Sequence, residues 1–384
     1  MRPSVIVLLG VVLAPSMALG QQSYGFIARL GRDTLVVERV TRSANRLEGQ
    51  VVSRTPRVVM RHYVADLAPD GTVRRIGVSV RTPNPAPNAP REQHVTVEFG
   101  RDTLPVTIRI GDSTTTLRVA ARGLAMPWIV YGYGTYEQIF MAARKRGGDS
   151  VAVTGYQPGG RNIAPTYVRR QGSDSVALGF FGDAVVARVD REGRLLGLNA
   201  EGTTVKVRVE RLNDVDVQGI GQRFAATEAS TGAPAALSLR DTVRASVSGS
   251  DLLLDYGRPA RRGRQIFGQL VPFDKVWRTG ANAATQFSTT RDLEFEGGLV
   301  VPAGKYTLWT LPTTSGVSFI VNKQTGQWGT VYDSAQDLGR VPLRVEKVDQ
   351  PLEIFTMLVE PGTAGGRVVM EWDTTRWIAS FKVR

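Results

Sequence analysis

The stretch KVWRTGANAATQF, residues 275–287, gathers an indole (Trp277), a guanidinium (Arg278) and an amide (Asn282) around Gly280. Gly280 permits close backbone approach. Arg278 beside Trp277 permits stacking of a guanidinium on an indole, and Asn282 can hydrogen-bond a ligand or its own loop. If Arg278 is buried it needs a partner, because an unpaired buried charge is too costly. An internal carboxylate would make it structural, a ligand functional. Just upstream, Arg258, Arg261, Arg262 and Arg264 place four guanidiniums in seven residues. That density suits a bidentate grip on carboxylate or phosphate, or a solvated loop between strands. Arg258, Arg264, Trp277, Arg278 and Asn282 are thus the candidate ligand-binding residues: the indole to stack, the arginines to meet acidic groups, the amide to orient.

Other chemistries find less support. With no cysteine, thiol catalysis and disulfides are excluded. The only histidines, His62 and His94, lie in the N-terminal half, so the C-terminal half has neither a Ser-His-Asp triad nor a His-based metal site. Asp255, Asp274, Asp292, Asp333, Asp337 and Asp373 fall in or near expected loops, and two facing carboxylates would allow glycan hydrolysis, but their spacing singles out no pair. Asn213-Asp214-Val215-Asp216 offers oxygen ligands for Ca²⁺, yet lacks the Gly and terminal Glu of a full loop; a solvated turn is the plainer reading. No Gly-rich phosphate loop leads into a helix. No metal or cofactor is expected, and no catalytic residue is singled out.

The N-terminus reads as a signal peptide over residues 1–20: Arg2, an apolar run Val5–Leu13, and small residues Ala18 and Gly20 before Gln21. The run is short for a membrane span and is followed by Pro15; no later segment is apolar enough to span. An exported protein, periplasmic or extracellular, is therefore expected, with no transmembrane segment after cleavage. The formal net charge is +13, carried mostly by arginine. Such an excess can mark nucleic-acid, lipid or acidic-glycan binding. Export and the scatter of Arg along strands argue against nucleic acid.

The elements that must position these residues are mostly strands. Residues 21–225 alternate apolar and polar residues between Gly-rich turns, as in LVVERV (35–40) and RVVMRHYVADL (57–67). One helix is expected over 135–146, with Thr135 and Gln138 at capping-box spacing, Tyr136, Ile139, Phe140 and Ala143 on one stripe, and Gly147 as the stop. Residues 226–241 read as a linker. From 242 to 384, strands recur at roughly ten-residue spacing, the pattern of an antiparallel sandwich. Tyr306, entering a strand after Pro302-Ala303-Gly304, is placed to anchor its hydroxyl on nearby backbone. The expected class is all-β: a curved antiparallel sheet with one covering helix, then a β-sandwich.

The order Tyr256-Gly257-Arg258-Pro259, Gly263-Arg264-Gln265-Ile266-Phe267-Gly268, Val276 to Asn282, Ala303 to Leu308 and Trp328-Gly329 resembles the bacterial domain-of-unknown-function family 2911, over roughly 243–384. The resemblance implies export and no established activity. Members usually carry a Glu directly after the Asn; here that position is Ala283, which weakens any catalytic reading. The N-terminal half resembles lipoprotein-carrier folds in expected architecture only. The expected function is non-enzymatic binding of an anionic or glycan-like ligand of the cell envelope. The alternatives are a carboxylate-dependent glycan hydrolase, a carrier holding an apolar ligand against Tyr136, Ile139 and Phe140, and a purely structural module.

Overall fold

The computed structural model describes residues 20–384, less 88, 181, 182, 202, 204 and 232–236. All of the expected signal peptide but Gly20 lies outside the described residues. Among the described residues no helix is long and apolar enough to cross a membrane.

Fifteen described strands make the first sheet: β1 (Gln22–Leu30), β2 (Asp33–Arg42), β3 (Arg46–Ser53), β4 (Val59–Leu67), β5 (Val73–Arg81), β6 (Glu92–Glu98), β7 (Thr103–Ile110), β8 (Ser113–Ala120), β9 (Ala125–Pro127), β10 (Ser150–Tyr156), β11 (Ile163–Arg170), β12 (Ser175–Phe180), β13 (Asp183–Val189), β14 (Leu195–Asn199) and β15 (Arg208–Leu212). Their order runs from β8 down to β1, then from β15 down to β9. Two meanders thus meet at one seam, where β1 pairs antiparallel with β15, Gly25 opposite Leu212. Only β9 runs parallel to its neighbour, β10.

Helix α1 (Tyr133–Arg146) lies inside the curl of this sheet. The stripe Tyr136, Ile139, Phe140 and Ala143 is buried, as its spacing predicts. Thr135, Glu137 and Gln138 are buried too, so the sheet wraps the helix instead of being covered by it. The expected capping box does not form. The helix starts two residues earlier, and Gln138 instead donates to the Gly71 carbonyl at 2.6 Å and accepts from Arg42 at 2.6 Å. The N-cap, Gly132, has no side chain to offer. Glu38 of β2 serves in its place, accepting from the Gly134 N–H at 3.1 Å and from the Tyr63 hydroxyl at 2.6 Å. Burial pushes the Glu38 carboxyl from its ordinary 4.5 up to about 8, against the hydrogen bonds that favour its charge. Between about pH 4.5 and 8 the unfolded chain has therefore released a proton that the native state keeps. This contribution to stability falls as pH rises through that window and levels off above it. Denaturant titrations at pH 5 and pH 8 should show a smaller difference in Glu38→Gln than in the wild type; an equal difference would show that Glu38 does not titrate there.

Alternation along β1 and β2 sends Phe26, Ala28, Val36 and Val40 to the helix side, and Ile27 and Val37 to the other. That outer face is covered by α2 (Val217–Thr231), through Val217, Ile220 and Phe224. The first part of the stretch expected to link the domains is therefore helical to Thr231. Asp216 caps the helix by accepting from the Gly219 N–H at 2.8 Å, and Asp214 lies 3.3 Å from Arg39. Buried Glu228 ties α2 down, accepting from Val58 N–H at 3.0 Å and Asn84 at 3.1 Å.

The second sheet comprises β16 (Ser238–Val247), β17 (Ser250–Pro259), β18 (Thr285–Thr289), β19 (Leu293–Phe295), β20 (Val300–Val301), β21 (Gly304–Pro312), β22 (Val317–Asn322), β23 (Asp337–Pro361) and β24 (Gly365–Val383). It folds into an antiparallel sandwich because β23 pairs first with β22 and then, past Leu343, with β24. Leu254, Tyr256, Phe287, Phe319, Phe355, Trp372 and Trp377 fill the space between the layers. The Tyr306 hydroxyl donates to the Pro302 carbonyl at 3.0 Å, the corner read from the sequence. All-β architecture thus holds for both parts.

Candidate functional site between the two sheets

The loop 277–284 connects two core residues, Trp277 and Ala284, through backbone that few side chains tolerate. Thr279, Gly280 and Asn282 have φ of 52°, 151° and 64°. For β-branched Thr279, fully buried, that conformation is strained. Three contacts hold it: the Thr279 and Thr310 hydroxyls at 2.7 Å, Thr285 Oγ1 donating to the Thr279 carbonyl at 2.7 Å, and reciprocal backbone bonds of 2.8 Å between Trp277 and Thr310. Two glycines make room. A Cβ on Gly257 would overlap the Ala281 carbonyl, and one on Gly329 would overlap Arg278 Cδ and the Asn282 carbonyl.

The loop forms one wall of a cleft of about 230 Å³ whose other side comes from the first sheet's end, at Leu30, Val205 and Lys206. Arg264, Trp277, Arg278 and Asn282 all line it, joined by Lys275. Four cationic side chains, Lys206, Arg264, Lys275 and Arg278, thus face one cleft, and among the described residues none that lines it is acidic. A second depression of about 320 Å³ shares Lys206, Arg264 and Leu270 as walls.

The predicted residues divide. Asn282 is exposed at the rim. Trp277 is 8% exposed, its ring packed on Phe355, Trp372 and Trp377 at centroid distances of 5.2, 6.0 and 6.4 Å; it anchors the loop and leaves little face for a ligand. Arg264 donates to the carbonyls of Arg261 at 3.0 Å and Ala260 at 2.6 Å, while burial lowers its pKa. Arg258 is not among the cleft's lining residues: it lies 2.9 Å from Asp241 and donates to Thr356 at 3.0 Å. The neighbouring arginines of the basic run join elements. Arg261 lies 3.1 Å from Asp373, and Arg262 pairs with Asp33 at the β1–β2 turn, whose Arg32 N–H donates to the Arg262 carbonyl at 3.1 Å. Three of the four guanidiniums in this run therefore meet internal carboxylates, two of them far off in sequence.

Sequence reasoning missed Lys206, Lys275 and Trp328. Trp328 is 47% exposed and sits across an antiparallel bridge from Ala283, next to the cleft residue Gly329. An exposed indole fixed in a two-residue bridge is the available stacking surface; its place in the Trp-Gly pair was the only sequence signal.

None of the six aspartates weighed for hydrolysis lines the cleft. Asp255 lies 2.7 Å from Arg240, Asp373 pairs with Arg261, and Asp337 accepts from Asn322 and Tyr332 at 2.8 and 2.6 Å. Asp292 and Asp333 accept from the backbone N–H groups of Ala303 and Ala335 at 2.8 and 2.9 Å. Asp274 is exposed at a positive φ.

No curated protein matches the chain. Among solved structures, a DUF1089 family protein from Pseudomonas aeruginosa is 14% identical, covering 50% of this chain and 95% of that one at a TM-score of 0.30. A structure of botulinum neurotoxin type C is 8% identical, over 95% of this chain and 89% of that one, at a TM-score of 0.12. Likenesses this low bear on neither fold nor function. The sequence match is more specific: residues 238–381, from the first residue of β16 and including the whole 277–284 loop, match the family Protein of unknown function (DUF2911).

Proposed function

We propose that this is an exported binding protein whose ligand is an acidic glycan of the cell envelope, held in the cleft between the two sheets. The observation that carries the reading is the gathering of Lys206, Arg264, Lys275 and Arg278 around one cleft with no carboxylate among the described residues that line it. A low-dielectric wall lined by one sign of charge attracts anions and lowers the cost of desolvating them. The strained loop supplies preorganisation: its backbone is fixed before a ligand arrives, so little entropy is lost on binding. Trp328, exposed and bridged to Ala283 beside the lining residues Asn282 and Gly329, offers a stacking face for a sugar ring, and Asn282 an amide for its hydroxyls. The export half of the proposal rests on the N-terminal sequence. The hydrolase alternative has no support in this cleft, since none of the six candidate aspartates lines it. The apolar-carrier alternative lacks room: Tyr136, Ile139 and Phe140 are packed in the core, and the space beside Phe140 is about 40 Å³.

Calorimetric titration of residues 21–384 with oligogalacturonate and with a neutral oligomer of equal length tests this. The acidic oligomer should bind and the neutral one should not, with affinity falling as salt rises. Lys206→Ala combined with Lys275→Ala should weaken binding about tenfold, the effect of roughly 1.4 kcal/mol. Equal binding of both oligomers, no binding of either, or an unchanged affinity in the double variant would overturn the proposal.

A further inference from the structure

A second cleft opens at one end of the first sheet's curl, remote in sequence from the DUF2911 match. Its volume is about 500 Å³, within the range of sites that hold small organic ligands. The β2–β3 turn, the β4–β5 turn and the outer half of α1 form its walls. Leu67, Pro69 and Met141 supply apolar surface, while Arg42, Lys145 and Arg194 supply charge. Among the described residues no acidic side chain lines it.

Its floor is unusual. The Arg42 side chain is only 10% exposed and belongs to a buried network built on Glu137, which is fully buried. Glu137 takes the Tyr24 hydroxyl, the Leu195 N–H at 2.9 Å and Arg211 at 2.5 Å. Arg42 Nη2 lies farther, 3.4 Å from Glu137, and makes no hydrogen bond. The network therefore holds two guanidiniums and one carboxylate facing one another, with a buried donor of the second guanidinium unsatisfied. Leaving such a donor unfilled is costly. Arg42 Nη1 is occupied by Gln138 at 2.6 Å, which fixes the guanidinium plane at the cleft floor.

We infer that this cleft is a second ligand site, taking a small anionic amphiphile whose carboxylate meets Arg42 and whose apolar body lies against Leu67, Pro69 and Met141. Arg42 Nε and Nη1 already donate to Tyr24 at 3.3 Å and Gln138 at 2.6 Å, so a carboxylate oxygen would give Nη2 the partner it lacks and balance the excess charge of the floor. Lys145 and Arg194 at the rim draw the head group in. The site is independent of the cleft between the sheets.

Decanoate, decan-1-ol, acetate and inorganic phosphate, each titrated into residues 21–384, provide the test. Decanoate should bind at one site, with the other three at least about tenfold weaker. Met141→Trp should fill the cleft and abolish binding, and Lys145→Met with Arg194→Met should weaken it several-fold; neither touches the buried network. Arg42→Met should also abolish binding. If that variant does not fold, the other two decide. Lys275→Ala, in the cleft between the sheets, should leave decanoate binding unchanged and so separates this site from the glycan proposal. Absent decanoate binding, equally strong binding of decan-1-ol, acetate or phosphate, or full binding by Met141→Trp would overturn the inference.

Discussion

Glu137→Ala is expected to destabilise the first sheet by about 3–5 kcal/mol, the usual cost of stripping one partner from a buried ion pair. Glu137 is fully enclosed within the curl of the sheet, and among the described residues its carboxylate is the only acidic group on which Arg42 and Arg211 both converge. Its loss leaves two guanidiniums facing each other with no countercharge, and leaves the Tyr24 hydroxyl and Leu195 N–H without an acceptor. Glu137→Gln keeps the shape and one acceptor, so it should cost less than alanine but still more than an ordinary surface change. Combining Glu137→Leu with Arg211→Leu should recover part of the loss, because an apolar pair of similar volume tolerates burial better than a lone charge. Urea denaturation followed by far-ultraviolet circular dichroism measures all of these. A loss below 1 kcal/mol in Glu137→Ala would mean that solvent reaches the network.

The other large effect is expected at Gly257. Its Cβ position is taken by the backbone carbonyl of Ala281, and a Cβ on Gly280 would in turn lie 2.8 Å from the Gly257 carbonyl oxygen. Backbone cannot swing away as a flexible side chain can, so Gly257→Ala must displace the 277–284 loop or open β17. Overpacking of this kind costs about 1–3 kcal/mol, and release of the strained Thr279 contacts adds to it. Five of the six tryptophans lie beyond residue 276, so intrinsic fluorescence reports the C-terminal transition. Its denaturation midpoint should fall, and oligogalacturonate binding should be lost even where the variant remains folded. Gly77→Ala is the control: a Cβ there meets nothing within 4 Å. Similar midpoints for the two variants would mean that the loop is not held by the close approach at Gly257.

These two residues also mark the limit of what the sequence conveys. Local regularities were legible: period-two strands, the stripe on α1, its Gly147 stop, the Tyr306 corner and the motif order of the C-terminal part. Each depends on neighbours within a few positions. Glu38 leaves a trace in the strand pattern. It shares the parity of Val36 and Val40, so on a strand it had to point to the apolar face. Helix α2 was hidden in part by Gly219 and Gly221, which lower helix propensity, although Val217, Ile220 and Phe224 follow helical spacing. The partners of the basic run were illegible for another reason. Arg262 and Asp33 are brought together only by docking of two separately built sheets, and no periodicity within either segment encodes that contact. Trp277 showed a related ambiguity: an aromatic in a polar loop reads as a ligand platform, and only three-dimensional packing reveals that its faces are already covered.

The seam between β1 and β15 has a kinetic meaning. The strand made first in the N-terminal part hydrogen-bonds to the strand made last, so the centre of the sheet closes only after about 190 residues have been delivered. Until then β1, apolar on both faces from Tyr24 to Ala28, has one bare edge, and bare apolar edges invite pairing with other chains. A chain cut short before Arg208 would keep that edge for good. The protein's exposure to aggregation is thus set by the interval between the arrival of its first strand and its fifteenth, and a holding chaperone that shields residues 22–30 during that interval would protect the whole sheet.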